Sequence, residues 1–152
     1  MIKKFALAFC AMLLLAGCSS SASKGHGATA SSSSNPLIME FEKEVGDRVF
    51  FKYDSSEVSH EAHKTLMNQA KWLKEHSNFS LTIAGHADER GTREYNIALG
   101  ERRAEAVKRF LVKHGIEAKR IETISYGKER PAVMGDNEEA WSKNRRAVTE
   151  LR

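Results

Sequence analysis

The N-terminal 35 residues limit the fold of this chain most strongly, because almost nothing in them can contribute to a folded core. Lys3 and Lys4 precede an apolar run over residues 5–16, which ends at Gly17 and Cys18. A basic start, a short apolar stretch and small residues before a break are the parts of a secretory signal peptide. Residues 1–17 are therefore predicted to be a leader that is removed, and their apolar run is too short for a comfortable membrane span.

A second segment, residues 18–35, is predicted to be a flexible tether. From Ser19 to Asn35 the chain consists mostly of Ser, Ala, Gly and Thr. Such a composition buries too little apolar area to offset the entropy lost on ordering. The remaining residues, 36–152, are enough for one domain with a proper core.

Charge and cysteine content exclude several classes of function. The net charge of +4 includes Lys3 and Lys4, so the chain without its leader has a net charge of about +2. This charge is too balanced to indicate nucleic-acid binding. The chain has two cysteines, Cys10 in the leader and Cys18 at the start of the tether. The predicted domain therefore has no disulfide, no cysteine-based metal site and no thiol nucleophile.

Hydrophobic spacing predicts alternating strands and helices in the domain. Strands are predicted at 49–51, 81–85, 121–126 and 146–151, and helices at 59–76, 93–114 and, more briefly, 137–144. The βαβαβ(α)β order predicts an α/β sandwich with helices packed on a mixed parallel and antiparallel sheet.

The helix predicted at 93–114 carries an arginine on its apolar stripe. The stripe consists of Leu99, Val107, Phe110 and Leu111, and it also contains Asn96 and Arg103. A charge on an apolar face needs an anion to meet it, and Asp88 lies in the loop before the helix. Two interpretations stay open. Asp88 and Arg103 form a structural ion pair, or they present opposite charges to a zwitterionic ligand in a cleft.

Leu15-Ala16-Gly17-Cys18 resembles the lipobox of bacterial lipoproteins. The resemblance implies that Cys18 carries a diacylglycerol, that the leader is cleaved before it, and that its new amino group is acylated, for example with palmitate. Ser19 is not the acidic residue that in many lipoproteins signals retention in the inner membrane. The resemblance therefore implies a lipid anchor in the outer membrane, with the domain in the periplasm.

Several segments of the domain together resemble the peptidoglycan-binding motif of the OmpA-like domain family. They are residues 85–92 (GHADERGT), 94–96 (EYN), 99–104 (LGERRA), 125–132 (SYGKERPA) and 144–148 (NRRAV). The resemblance covers nearly the whole domain. The sequences of these motifs are most similar to those of the lipid-anchored members of the family, which carry a similar lipobox and tether.

This resemblance implies specific roles for six residues. Asp88 would bind the ammonium of diaminopimelate in the peptidoglycan stem peptide, and Arg103 would bind its carboxylate as a bidentate pair. The other residues implied at the site are Asn96, Tyr53, Asp54 and Arg145. The resemblance also implies binding to the propeller protein TolB and other Tol components, and a role in envelope integrity and constriction at cell division.

Catalysis, metal binding and cofactors are not expected. His60, His63 and His86 do not form a convergent ligand set with a supporting second shell, and Ser125 lacks a nucleophile elbow. The two tryptophans, Trp72 and Trp141, are expected to pack in the core or at its rim. Two alternatives stay open: a lipid-anchored cell-wall hydrolase, and an OmpA-like structural lipoprotein without Tol contact.

Overall fold

The computed structural model describes residues 35–152. The predicted leader, the predicted lipidation site at Cys18 and the part of the predicted tether before Asn35 lie outside the described residues. The helices and strands are α1 (Pro36–Glu40), β1 (Arg48–Phe50), α2 (His60–Glu75), β2 (Leu81–His86), α3 (Arg93–Lys113), β3 (Ile121–Gly127), α4 (Glu138–Asn144) and β4 (Arg146–Leu151). The predicted βαβαβ(α)β order is confirmed, with α1 added at its start.

The hydrophobic spacing did not predict the first helix, nor a short 3-10 helix over Ala118–Arg120. Asn35 caps the first helix by accepting a hydrogen bond from the main-chain nitrogen of Leu37, and proline occupies its first turn. The helix continues as a π-helical segment over Phe41–Gly46. Phe41 is fully buried, with its ring 5.0 Å from that of Trp72. Burial of this aromatic side chain fixes the start of the domain against α2.

A four-stranded mixed sheet, with strand order β1-β4-β2-β3, forms one layer of the domain. Strands β2 and β3 are parallel, while β4 is antiparallel to both β1 and β2. Parallel neighbours need a crossover, which α3 provides between β2 and β3. The C-terminal end of β2 therefore lies next to the start of α3, in the centre of the sheet.

The two long helices begin and end where their sequences predict. Ser59 and Thr92 cap α2 and α3 by accepting hydrogen bonds from Ala62 and Tyr95. Gly115 follows α3 with a φ of +93°, a left-handed conformation that glycine adopts without strain. These signals explain why the bounds of both helices agree closely with the predicted ones.

The main core lies between α2, α3 and one face of the sheet. Its members come from every layer, and they are Ile38, Phe41, Val49, Phe51, Leu66, Leu73, Leu81, Ile83, Val107, Leu111 and Ile121, with smaller and partly buried neighbours. Within the described part of the chain, no helix is both long and apolar enough to cross a membrane.

Candidate functional site

A close approach between β2 and α3 determines where the site lies. A Cβ added to Gly85 would lie 1.8 Å from the main-chain oxygen of Gly100, so the two elements could not pack this closely with a side chain there. The contact places the first half of α3 against the end of β2, where the loop 87–92 begins. As a result, Arg103 Nη1 on α3 donates a 2.8 Å hydrogen bond to the main-chain oxygen of His86.

A cavity of about 180 Å³ opens beside this contact. Its lining comes from the segment after β1, the loop after β2 and the first turns of α3, and consists of Tyr53, Asp54, Asp88, Arg90, Gly91, Tyr95, Asn96, Leu99 and Arg103. Five of the six binding residues that the sequence resemblance implied therefore line one cavity. The sixth, Arg145, contacts Asp88 but does not line the cavity.

Arg103 is held by main-chain oxygens and has no exposed surface. Its Nε, Nη1 and Nη2 donate to the carbonyls of Ser55, His86 and Lys52 at 2.8, 2.8 and 3.0 Å. Burial lowers the pKa of Arg103 to about 10, so the guanidinium stays charged at neutral pH. A guanidinium has five N–H groups, and these three bonds leave one N–H on each terminal nitrogen.

Asp88 is also buried, and its carboxylate is fully engaged by two other arginines. Arg90 donates to it from its main-chain nitrogen at 3.1 Å, from Nε at 3.2 Å and from Nη2 at 2.6 Å. Arg145 Nη1 adds a fourth contact at 3.4 Å. Burial alone would raise the pKa of Asp88, but the hydrogen bonds and charge of Arg90, with Arg145, lower it. Asp88 is therefore ionised at neutral pH.

The first of the two open interpretations, a direct ion pair between Asp88 and Arg103, is wrong. Asp88 forms its ion pairs with Arg90 and Arg145, and Arg103 is satisfied by main-chain carbonyls. The two residues nevertheless line the same cavity with opposite charges. This is the arrangement that the second interpretation, a cleft for a zwitterion, requires.

Arg90 is a cavity residue to which the sequence analysis assigned no role. Its guanidinium carbon lies 4.0 Å from the ring centroid of Tyr53 on one side and 4.0 Å from that of Trp141 on the other. Trp141 in turn donates from its indole nitrogen to Glu89 at 3.0 Å. The Asp88-Glu89-Arg90 spacing could have indicated the ion pair, but the two aromatic partners come from distant segments.

Asn96 positions the loop before α3. Its Nδ2 donates to the main-chain oxygens of Arg90 at 2.8 Å and Thr92 at 3.1 Å. Asn96 is 1% exposed, so these bonds satisfy a buried donor. In this structure its side chain therefore fixes the backbone of the residue that engages Asp88.

Tyr53 and Asp54 form the side of the cavity that follows β1. Asp54 has a positive φ of 50°, which is uncommon for a residue with a side chain. Its carboxylate accepts a hydrogen bond from the hydroxyl of Tyr95 at the start of α3. Asp54 is exposed, so the cavity offers a second carboxylate near its rim.

Arg145, at the junction of α4 and β4, contacts Asp88 from outside the cavity. Its Nε donates to the main-chain oxygen of Phe51 at 3.0 Å, and its Nη2 contacts Glu138 at 2.5 Å. With Nη1 on Asp88, this buried arginine connects three segments of the chain. We therefore interpret Arg145 as a residue that positions Asp88 and not as a direct contact for a ligand.

The histidines and Ser125 that the sequence analysis considered do not form a catalytic or metal-binding group in the described residues. His60 and His63 are exposed, while His86 is buried with an unpaired Nδ1, and burial lowers the pKa of His86 to about 4. The hydroxyl of Ser125 donates to the main-chain oxygen of Ile97 at 2.7 Å. Among the described residues, no group of three or more His, Cys, Asp or Glu side chains could hold a metal ion.

Comparison with protein families agrees with this geometry. The model of the OmpA family matches residues 50–145, a range that contains every cavity residue. The chain is 46% identical over 150 residues to the peptidoglycan-associated lipoprotein of Mesorhizobium japonicum, with 95% of this chain and 89% of the relative covered. It is 41% identical over 157 residues to the protein of that name in Pseudomonas aeruginosa, with 94% and 93% covered.

Solved structures have the same fold. The crystal structure of the peptidoglycan-associated lipoprotein from Burkholderia pseudomallei superposes with a TM-score of 0.68 at 42% identity, and covers 70% of this chain and 90% of that one. The C-terminal domain of Helicobacter pylori MotB superposes with a TM-score of 0.65 at 20% identity, over 70% of this chain and 84% of that one. The second likeness concerns the fold alone.

Proposed function

This chain belongs to the OmpA family, as its motifs predicted, and from that premise we propose that it binds peptidoglycan without catalysis. The bound group is the diaminopimelate of the stem peptide. The proposal extends to this chain the association with peptidoglycan from which its lipoprotein relatives take their name. It rests on the cavity residues as well as on those relatives.

The observation that carries the proposal is a buried, charged arginine that lines an open cavity opposite carboxylates. Arg103 keeps one N–H on each terminal nitrogen after its three main-chain bonds. Two N–H groups are the number that a bidentate contact with a carboxylate uses. Asp88 and Asp54 supply negative charge in the same cavity. The site therefore suits a small group that carries one carboxylate and one ammonium.

Diaminopimelate fits this description better than lysine does. The free end of its side chain carries both an ammonium and a carboxylate, while a lysine side chain ends in an ammonium alone. With a lysine-type peptide the buried charge of Arg103 would gain no anion. A buried hydrogen-bonded charge pair is worth on the order of 2–5 kcal/mol in binding when one partner is removed, so the site should discriminate between the two wall types.

The N-terminal segment, outside the described residues, supplies the second half of the proposal. Cys18 is the proposed acylation site, and Ser19 favours an anchor in the outer membrane. A domain on a lipid-anchored tether that also binds peptidoglycan would link the outer membrane to the cell wall. By the same family resemblance we propose contact with TolB and other Tol components, in support of envelope integrity and constriction at cell division.

A pull-down with isolated peptidoglycan sacculi tests the proposal. Residues 36–152 should sediment with diaminopimelate-type sacculi, and millimolar free meso-diaminopimelate should release them. Arg103→Lys should reduce binding because a single ammonium cannot replace the planar fork. Sedimentation that is insensitive to free diaminopimelate would contradict the proposal. Soluble wall fragments released during the incubation would instead support the hydrolase alternative.

The chain offers a matched control in Arg120. Its guanidinium also donates to three main-chain oxygens, those of Phe79, Leu73 and His76, at 2.9, 3.1 and 3.1 Å. Arg120 does not line the cavity. Arg120→Lys should therefore perturb the fold in the same manner as Arg103→Lys, while it leaves sacculus binding intact.

A further inference from the structure

The carboxylate of Asp88 has no free position for a ligand in this structure. A carboxylate offers about four lone-pair sites, and Asp88 receives four contacts, three from Arg90 and one from Arg145. A ligand ammonium cannot approach Asp88 closely unless one of these donors leaves. The proposed function therefore raises the question of which donor gives way.

Arg90 is the donor that can move. Arg145 is 6% exposed, and its guanidinium also donates hydrogen bonds to the main-chain oxygen of Phe51 and the carboxylate of Glu138. The side chain of Arg90 is 29% exposed, and it is attached to a loop. Its two side-chain bonds to Asp88 are the ones that a second cation could replace, whereas the bond from its main-chain nitrogen would stay.

The two residues proposed to bind the ligand are both closed off from solvent. Asp88 is 4% exposed and Arg103 is 0% exposed, although both line the cavity. Arg90 and Tyr53 line the same cavity and are both more exposed than these two residues, at 29% for the side chain of Arg90 and 60% for Tyr53. Access to Asp88 therefore depends on the side chain of Arg90, which donates two hydrogen bonds to its carboxylate.

We propose that the guanidinium of Arg90 occupies the ammonium subsite in the free protein and withdraws when the ligand binds. This inference rests on the proposed function and adds a residue that determines its affinity and specificity. The exchange replaces one cation on Asp88 with another, so the charge of the site is conserved. Ligands without an ammonium cannot displace Arg90.

The surroundings of Arg90 provide a place for the displaced guanidinium. Glu138 Oε2 lies 3.9 Å from Arg90 Nη2, and the Glu138 side chain is 65% exposed. A small outward shift would strengthen this second ion pair as the first one breaks. The same shift would change the contact with Trp141, whose ring centroid now lies 4.0 Å from the guanidinium carbon.

The first test compares affinities for two peptides. One is a stem tripeptide that ends in meso-diaminopimelate, and the other is its analogue in which the side-chain ammonium is replaced by hydrogen. Arg90→Ala should bind the diaminopimelate peptide about fivefold more tightly than the unmodified protein, because a partly exposed competing ion pair is lost. Its affinity for the analogue should change less than twofold.

Arg93→Ala is the matched control. Arg93 is two residues beyond the loop glycine, is 69% exposed, and pairs with Glu129 outside the cavity. Removing its charge should not tighten binding of either peptide. An equal gain from Arg93→Ala would mean that net charge explains the effect, and that result would overturn the proposal. Unchanged or weaker binding of the diaminopimelate peptide by Arg90→Ala would overturn it as well.

A second test needs no change at Arg90. Tryptophan fluorescence should change when the diaminopimelate peptide binds, and it should not change with the analogue, which leaves Arg90 in place. The Trp141→Phe variant, which keeps Trp72, identifies the source of the signal. Equal responses to both peptides would overturn the proposal while wild-type binding still supports the proposed function. If the unmodified protein binds neither peptide, the proposed function fails together with this inference.

Discussion

Asp88 forms its shortest ion pair with Arg90, at 2.6 Å between Oδ2 and Nη2, although Arg103 lines the same cavity. The two opposite charges of the candidate site are therefore stabilised by different partners. Asp88 is held by side chains, whereas Arg103 is held by main-chain carbonyls. Each charge is satisfied without the other, and the proposed exchange of Arg90 would make Asp88 available to a ligand.

Replacing Arg103 with leucine should destabilise the domain, although leucine suits the apolar stripe of α3. The change leaves three carbonyls, those of Lys52, Ser55 and His86, without their donor. Loss of the donor costs about 1–3 kcal/mol for a buried carbonyl and less where water can replace it. Only the bond to His86 is fully buried, so a total loss of about 2–5 kcal/mol is expected in urea unfolding. Arg102→Leu, at an exposed position of the same helix, is the control. Equal stability of the two variants would contradict a stabilising role for the three hydrogen bonds between Arg103 and the main-chain carbonyls.

Gly100→Ala should destabilise the domain even though alanine is the better helix former. Propensity alone predicts a gain of about 1 kcal/mol in a helix interior. The added Cβ would lie 2.3 Å from Ser125 Oγ and 2.9 Å from the main-chain oxygen of Gly85. Overpacking of this kind costs about 1–3 kcal/mol or more, so the variant should have a lower free energy of unfolding than the unmodified protein. Thermal unfolding measures it.

A second substitution separates the two contacts of Gly100. Ser125→Ala removes the nearer atom, the hydroxyl oxygen at 2.3 Å, and leaves the contact with Gly85. The double variant should therefore recover part of the stability that Gly100→Ala loses. A single Gly100→Ala variant that unfolds at a higher temperature than the unmodified protein would contradict the close packing of β2 on α3.

His86 should make the domain less stable as the pH falls from about 6.5 to about 4. Burial lowers the pKa of His86 from 6.5 to about 4. In this window the unfolded chain binds the proton and the folded chain does not, so unfolding takes up a proton and acid favours it. The contribution is at most about 3 kcal/mol. Above pH 6.5 the imidazole is neutral in both states and its contribution is constant.

Urea unfolding at a series of pH values tests this prediction. His86→Gln should flatten the slope between pH 4 and 6.5. His60→Gln, which removes an exposed histidine from α2, is the matched control and should keep the slope. Asp88 acts in the same direction, but its lowered pKa moves its contribution to more acidic pH. An unchanged slope in His86→Gln would contradict the prediction.

Anchoring in the outer membrane should depend on Cys18. Buried acyl carbons contribute about 0.8 kcal/mol each, so two or three chains hold a protein almost permanently. Cys18→Ala should yield unprocessed precursor or protein that is lost from the outer-membrane fraction. The fractionation should be repeated after digestion of the wall, because peptidoglycan binding alone could retain the variant. Processing and retention as in the unmodified protein after digestion would contradict a lipid anchor at Cys18.

Local signals in the sequence were sufficient for most of the fold. The bounds predicted for α2 and α3 from hydrophobic spacing agree closely with the structure, in which Ser59 and Thr92 cap the two helices and Gly115 follows α3. The helix Pro36–Glu40 and its continuation were not predicted, because so short a segment has little periodicity of its own. Its order comes from the burial of Phe41 against Trp72, a contact between segments far apart in the chain.

The sequence predicted most of the residues of the candidate site, but not which groups form hydrogen bonds and ion pairs with one another. Family motifs implied Asp88 and Arg103, and both line one cavity. The sequence analysis expected an anion beside Arg103, yet main-chain carbonyls satisfy it. Carbonyl groups belong to every residue, so a sequence does not reveal which of them meet a side chain. The role of Arg90 depends on Tyr53 and Trp141, whose proximity only the fold creates.

The most direct test of the account is titration calorimetry of residues 36–152 with diaminopimelate-type and lysine-type stem peptides of otherwise equal sequence. We expect the diaminopimelate peptide to bind about thirtyfold more tightly or better, because only this peptide has a side-chain carboxylate for Arg103 to bind. Amidation of that carboxylate should reduce the affinity to the level of the lysine peptide. Equal affinity for the diaminopimelate and lysine peptides would contradict the account.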